Sequence, residues 1–390
     1  MLQDEDLQHL MDGQPPVSIQ ILSQMTLGRA LWLDRMRDHY LRRYIATGGS
    51  KVKLIMGGEG TGKTHLAKML LGDARNLGYA TVFLSARDYR LNDLPNLYRA
   101  ILRQLDLKQL EQGLCRKVAA KLGYGQWDPQ DYLVGILMED QGLTRDLAIQ
   151  EIRRATGHCF RDLDLSPSFL TFVHRVTEAH LINATQPDVA IRWLMGEKLE
   201  PYQRKATSLF ERLQKINARS WLNTLIRLLT DVGFTGLVVA IDDLEVMTER
   251  NPDSGRHRYS PAACKDICEL FRQLIDDGEL LNHFLLLLSG HRIVLEDDKR
   301  GLISYEALWM RLQTGLVPHH RFNSFADSVD ADLHLVAQGK DFPQVVGSHL
   351  RQVFQQVGLT VHHHPKPDLS DHSALRAHVI EAALSTLEAG

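Results

Sequence analysis

The segment Gly57 to Thr64, GGEGTGKT, constrains this chain more than any other, because it fits G-x-x-x-x-G-K-[ST] in the setting that pattern requires. Val52 to Met56 before it reads as an apolar strand, and about Lys63 to Leu77 after it reads as a helix. Residues 80–85 (ATVFLS) read as a second strand. Strand, loop, helix, strand opens a parallel α/β sheet. Gly57, Gly58, Gly60 and Gly62, with Glu59 and Thr61 between them, let the backbone curl until its N–H groups point inward at an anion. Lys63 supplies a point charge for β- and γ-phosphates, and Thr64 offers a hydroxyl to Mg²⁺. The helix beginning there aims its positive end at the same anion. ATP with Mg²⁺ is therefore the expected ligand.

Leu237 to Asp243, LVVAIDD, is the second constraint. An apolar run of this kind suits a strand buried on both faces, and its closing acids reach the carboxyl edge of the sheet. Asp242 is expected in the Mg²⁺ shell, and Asp243 is expected to orient the attacking water. ATPases of the AAA+ type usually carry Glu at that second position, and Asp is shorter by one methylene. A bridging water, help from Glu245, or slow hydrolysis would each answer the difference. In Phe284 to His291, FLLLLSGH, Ser289 and His291 stand where additional-strand P-loop ATPases carry a polar γ-phosphate sensor. Of the arginines that follow the acidic strand (Arg256, Arg258, Arg292, Arg300, Arg311), Arg300 and Arg311 are the first choices for a finger reaching a neighbouring subunit's phosphate.

The rest of the chain is read around these motifs. Residues 1–20 look loosely structured, and residues 21–46 carry apolar side chains at helical spacing that stops at Gly48-Gly49. From about 90 to 232 the chain is mostly helix-forming, with 208–232 as one long amphipathic segment. Thr64 and Asp242 stand about 180 positions apart, so a helical insertion, about 92–207, must fold out between them. Residues 331–337 (ADLHLVA) read as a last strand, and 341–390 as two helices split at His362 to Pro365. The expected organisation is an N-terminal helical segment over 1–50, a core over 51–340, and a lid-like helical region over 341–390.

Composition excludes other classes. The net charge of -3 does not advertise nucleic-acid binding, and 44% hydrophobic residues suffice for a sizeable core. Cys115, Cys159, Cys264 and Cys268 are too sparse for a disulfide framework, and the C-x3-C of Cys264 and Cys268 has no second pair to complete a zinc site. His319-His320 and His362 to His364 lack spaced carboxylate or cysteine partners for a metal. The basic stripe Arg35 to Arg43 reads as a solvated helix face. No apolar run approaches the roughly 20 residues that span a bilayer, and the acidic N-terminus lacks a signal core, so a cytoplasmic protein away from the membrane is expected.

With GFTGLVVAIDDLE, ELFRQLIDD and FLLLLSGHRIVLEDDKRGLISYEALWMRL behind the glycine loop, the chain resembles the BREX-system ATP-binding proteins of the BrxD kind, from bacterial phage-defence islands. The resemblance covers roughly 25–90 and 210–340, and Arg300 to Leu308 is its more specific part. It implies an AAA+-like P-loop fold, related to the origin-recognition group, with a mostly parallel central sheet, a large helical insertion and a small C-terminal helical region. It implies an ATPase working beside other defence-system proteins in a homo- or hetero-oligomer, with DNA an open partner. It carries Gly57 to Thr64 as the nucleotide loop and Asp242 with Asp243 as the magnesium and water pair. Two other readings share the core motifs: a DNA-loading initiator or transposition-regulator ATPase, and a non-hydrolysing nucleotide switch that scaffolds partners.

Overall fold

The computed structural model describes residues 3–183, 187–276, 280–313, 322–362 and 374–387. The chain divides into two compact units, Met1–Asn92 with Leu237–Gly390, and Asp93–Gly236. His319, His320, His363 and His364 lie outside the described residues.

The first unit begins with α1 (Asp4–Met11), α2 (Ile19–Met25) and the single turn α3 (Leu33–Arg35), which runs into a π-helical segment, Met36–Ile45. Residues 3–20 thus carry helix where the sequence suggests loose structure. The Ser18 hydroxyl caps α2, and the Asp6 carboxylate accepts the Ser18 N–H at 2.8 Å. The helical reading of 21–46 breaks at Gly28, whose φ is 66°. β1 (Ser50–Gly57), α4 (Lys63–Asn76) and β2 (Ala80–Ser85) follow as expected.

Among its described residues the second unit contains helices and connecting segments but no strand. It comprises α5 (Leu94–Gln104), α6 (Leu107–Lys121), α7 (Leu133–Gln141), α8 (Arg145–Cys159), α9 (Pro167–Ile182), α10 (Pro187–Leu194), α11 (Pro201–Thr207) and α12 (Ala218–Asp231). Trp193 and Trp221 meet at 4.6 Å between ring centroids, with Phe169 5.1 Å from each, and this aromatic knot ties α9, α10 and α12 together. The single helix expected over 208–232 starts only at Ala218. Ser208 in the left-handed region (φ 61°) ends α11, and the backbone stays out of helix to residue 217.

The chain then returns to the first unit with β3 (Leu237–Asp242), α13 (Pro261–Asp276), β4 (Phe284–His291), the short α14 (Ile293–Glu296), α15 (Glu306–Gln313), β5 (Ser328–Asp330), α16 (Ala331–Gln338), α17 (Phe342–Gln356) and α18 (Ala374–Leu384). The strands form one parallel sheet in the order β2-β3-β4-β1-β5. Every residue of β3 is buried, as an apolar run flanked on both sides predicts. The strand expected at 331–337 is instead α16. β5 is only three residues long, and the Asp330 carboxylate accepts the N–H groups of Asp332 and Leu333, starting a helix directly at the strand's end. A second apolar cluster joins Leu10, Ile21 and Met25 to Val346, Leu350, Phe354 and Ala382, so both ends of the chain share one small core. Among the described residues, no helix is long and apolar enough to cross a membrane.

Candidate nucleotide site

The register of the sheet brings the motifs to one edge. β1 ends at Gly57, β3 at Asp242 and β4 at His291, all at the carboxyl side, where parallel sheets receive ligands. In the loop, Gly60 and Gly62 hold φ of 72° and 87°, a region that favours glycine. Gly57 faces a close approach: a Cβ there would stand 2.9 Å from the Ala331 Cβ. The Thr61 hydroxyl donates to the Gly58 carbonyl at 2.9 Å. The Lys63 ammonium folds back onto the loop, donating to the carbonyls of Gly58 at 2.6 Å and Gly57 at 3.4 Å. Burial lowers the Lys63 pKa, against the pull of Glu245, Asp242, Asp332 and Glu59.

Asp242 is the hub of the edge. The Thr64 hydroxyl donates to its Oδ2 at 2.5 Å and the Ser289 hydroxyl to its Oδ1 at 2.6 Å. Both hydroxyls spend their only proton on this carboxylate, which fixes their lone pairs outward. An all-oxygen set of Thr64 Oγ1 and Asp242 fits a hard divalent cation such as Mg²⁺.

The two further acids take different positions. Asp243 has left-handed backbone (φ 62°), and its Oδ2 accepts the Ser85 hydroxyl at 2.6 Å. Glu245 is 7% exposed; its Oε2 accepts the His291 N–H at 3.2 Å and its Oε1 an Arg87 N–H at 3.4 Å. Glu245 is also the carboxylate that acts most strongly on Lys63. Arg87 grips Glu249 with two N–H groups, at 2.7 and 2.8 Å, and its Nε lies 3.9 Å from Asp243. That pairing raises the Arg87 pKa and lowers that of Glu249.

A cavity of about 550 Å³ opens over the loop, of the size that takes a drug-sized or nucleotide-sized ligand. Lys63, Asp242, Glu245, Arg87 and His291 line its polar end, while Leu10, Met25, Leu27, Phe342, Val346 and Val379 line its apolar wall. His65 reaches this cavity beside Thr64. The Thr26 hydroxyl donates to the Leu22 carbonyl at 2.6 Å, so the contact of 2.9 Å between Thr26 and His65 Nε2 has the histidine as donor. Burial pushes the His65 pKa down to about 4, so the ring is neutral near pH 7.

Sequence reasoning missed several residues that the fold brings here. Asp332 accepts the Gly58 N–H at 3.1 Å, so a carboxylate rests on one of the loop's anion-facing nitrogens. Arg292 holds that carboxylate at 2.8 Å and Asp330 at the same distance. Arg376, on α18, pairs with Glu59 and donates to the Asp12 carbonyl at 3.1 Å. Ser85 and Arg87 have a signal in the strand register, because Ser85 is the partner of Asp242 across β2 and β3. Arg376 and Asp332 have none, since only the fold places them.

Other expected residues lie elsewhere. Arg300 Nε approaches the Tyr259 carbonyl at 3.5 Å, and Arg311 pairs with Asp276 on α13 beside a second, smaller cavity. Arg258 donates to the carbonyls of Arg87 and Tyr89, and Arg256 is exposed. In the stripe Arg35 to Arg43, Arg37 and Arg42 pair with Asp38 and Arg35 donates to Ser324. Cys264 and Cys268 are buried thiols, raised by burial to about 11 and about 12.

Comparison with known proteins agrees with the resemblance. The family described as BREX system ATP-binding protein BrxC/D matches residues 17–382, and the chain belongs to that family. No curated protein matches it.

Proposed function

We propose that this BREX-system ATP-binding protein is an AAA+-like P-loop ATPase subunit, which couples its nucleotide state to contacts with DNA or with other proteins of the system. The observation that carries the reading is the meeting of Thr64, Asp242 and Ser289 at the mouth of the glycine loop, across 178 positions of sequence. The sheet order supports it, because β4 stands between the loop strand β1 and the acidic strand β3, as in additional-strand P-loop ATPases.

In this reading the loop N–H groups and Lys63 bind the β- and γ-phosphates. Lys63 would leave the carbonyls of Gly57 and Gly58, and the triphosphate would displace Asp332 from the Gly58 N–H. Thr64 and Asp242 would hold Mg²⁺, which supplies neutralisation of phosphate charge. Glu245, buried and tied to the His291 N–H, is the acid assigned to orient a water; Asp243 lines the same cavity but has one oxygen committed to the Ser85 hydroxyl. Arg376 would pass from Glu59 to the phosphates, so that α18 closes on the bound nucleotide as part of a lid with α17.

Lys63→Ala tests the reading. It should abolish nucleotide binding and protection from phage in cells carrying the complete system. Wild-type protection by the Lys63→Ala protein, expressed at wild-type level, would refute it.

A further inference from the structure

The extended strap at residues 208–217 of the helical unit carries a pattern that the nucleotide site does not use. Burial alternates along it: Leu209 and Leu213 are buried and Glu211 is turned inward, while Ser208, Phe210, Arg212 and Gln214 are exposed. Such a period of two puts the second set on one outward face. The inward set is firmly held. The Trp193 indole N–H donates to the Glu211 carbonyl at 2.7 Å, and the Trp221 indole N–H and Asn217 donate to its carboxylate at 2.9 and 3.1 Å.

The consequence is electrostatic. Residues 201–220 hold five basic side chains and a single acidic one, and that acid is Glu211, whose charge is spent inside the unit. Lys205, Arg212 and Lys215 are exposed, and among the described residues none of the three has a carboxylate partner. Large apolar side chains stand in water along the same stretch: Phe210 between Lys205 and Arg212 at 61% exposure, Tyr202 before them at 72% and Ile216 after them at 89%. Exposed rings interleaved with unpaired cations suit a partner that offers both phosphates and unstacked bases.

We propose that the strap around Phe210 binds single-stranded nucleic acid, with Lys205, Arg212 and Lys215 on the phosphates and Phe210 and Tyr202 under the bases. A duplex keeps its bases stacked and gives the rings nothing to cover. An acidic protein would meet the cations equally well, but it has no comparable use for two isolated rings. The inference gives the nucleic-acid contact of the proposed function a surface. Its test needs no nucleotide, so its failure would leave ATP binding and the Lys63 experiment standing.

The test is fluorescence anisotropy of labelled oligothymidine and oligouridine with the 390-residue protein over a salt series. The two probes distinguish DNA from RNA as the strand. Phe210→Ala should weaken binding about tenfold with an unchanged salt slope, because it removes a stacking platform and no charge. The double variant Arg212→Gln, Lys215→Gln should lower the slope by about 1.4, at ~0.7 per phosphate contact on a single strand. ATP affinity, read on the same samples, should not move in either variant. The proposal is overturned if the wild type binds neither probe, or if both variants bind them as the wild type does. It is also overturned if the variants keep strand binding but lose capture of another BREX protein, which would make the strap a protein-docking surface.

Discussion

Replacing Glu245 by Gln separates the two acids that compete for the water-orienting role. The substitution keeps shape and volume, removes the charge and turns one acceptor oxygen into an NH2 donor. Glu245 accepts two contacts, from the His291 N–H at 3.2 Å and from Arg87 at 3.4 Å, and the amide oxygen of Gln can keep one of them. Arg87 is 45% exposed and retains Glu249, so the stability loss is confined to about 1 kcal/mol, or ~2–4 °C in Tm. Turnover should respond on another scale. Losing a group that positions or deprotonates the attacking water costs about 10²–10⁴ in kcat, or ~2.7–5.5 kcal/mol of barrier. ATP affinity should hold or tighten, because a negative charge near the triphosphate has gone. Asp243→Asn is the paired control. Asp243 already spends its Oδ2 on the Ser85 hydroxyl, so the loss there should stay under about tenfold. The assay is steady-state phosphate release, with nucleotide affinity measured separately on each variant. A large loss in Asp243→Asn with near-normal turnover in Glu245→Gln would refute the assignment.

Two further outcomes follow from the same contacts. Arg376→Ala should weaken ATP binding about tenfold by calorimetry while leaving the fold intact, since charge-assisted contacts to phosphate are lost; unchanged affinity would remove α18 from the site. Lys53, fully buried under Tyr40 and bonded to the carbonyls of Phe325 and Ala326, has its pKa lowered from 10.5 to about 8, chiefly by burial. The unfolded chain therefore binds the extra proton between about pH 8 and 10.5, so this group's contribution to stability rises with pH across that window, by ~3 kcal/mol in all. The stability difference between wild type and Lys53→Met in chemical denaturation should change across that window in favour of the wild type, and a difference flat in pH would refute the shift.

What was legible in the sequence is what the backbone cannot vary. Gly60 and Gly62 occupy conformations other residues resist, so their spacing announces the loop. A strand buried on both faces must be apolar throughout, so Leu237 to Ile241 and the acids after it stand out. β5 was hidden because three residues carry no period, and the helix after it has apolar Ala331, Leu333 and Leu335 at every second position, which in a short window pass for alternation although the buried pair, Ala331 and His334, is spaced as in a helix. Phe210 and Glu211 were absorbed into an expected helix because strap and helix are equally amphipathic. Arg376 and Asp332 were illegible in principle, since the loop contacts they make are set by where α18 and α16 pack.

That last class of residue bears on how nucleotide and fold are coupled. The cavity's polar end is built by the sheet, but its apolar wall comes from α1, α2, α17 and α18, which share a core of their own through Leu10, Met25, Val346 and Phe354. A ligand that spans both ends joins the sheet to the terminal helices, which are already linked to it through Ile19 and Leu22 of α2. In the proposed reading its binding energy would favour the arrangement in which the terminal helices stand over the loop, and ligation at about a hundredfold above Kd would add ~2.7 kcal/mol to that arrangement. Asp332 on α16 rests on the Gly58 N–H, and Arg376 on α18 holds Glu59, so two helices meet the loop through carboxylate contacts. A triphosphate bound as proposed would displace both, exchanging its charge for theirs on the same donors. In the proposed reading, nucleotide state would thereby be read by the two helices, α16 and α18, whose contacts to the loop would change hands.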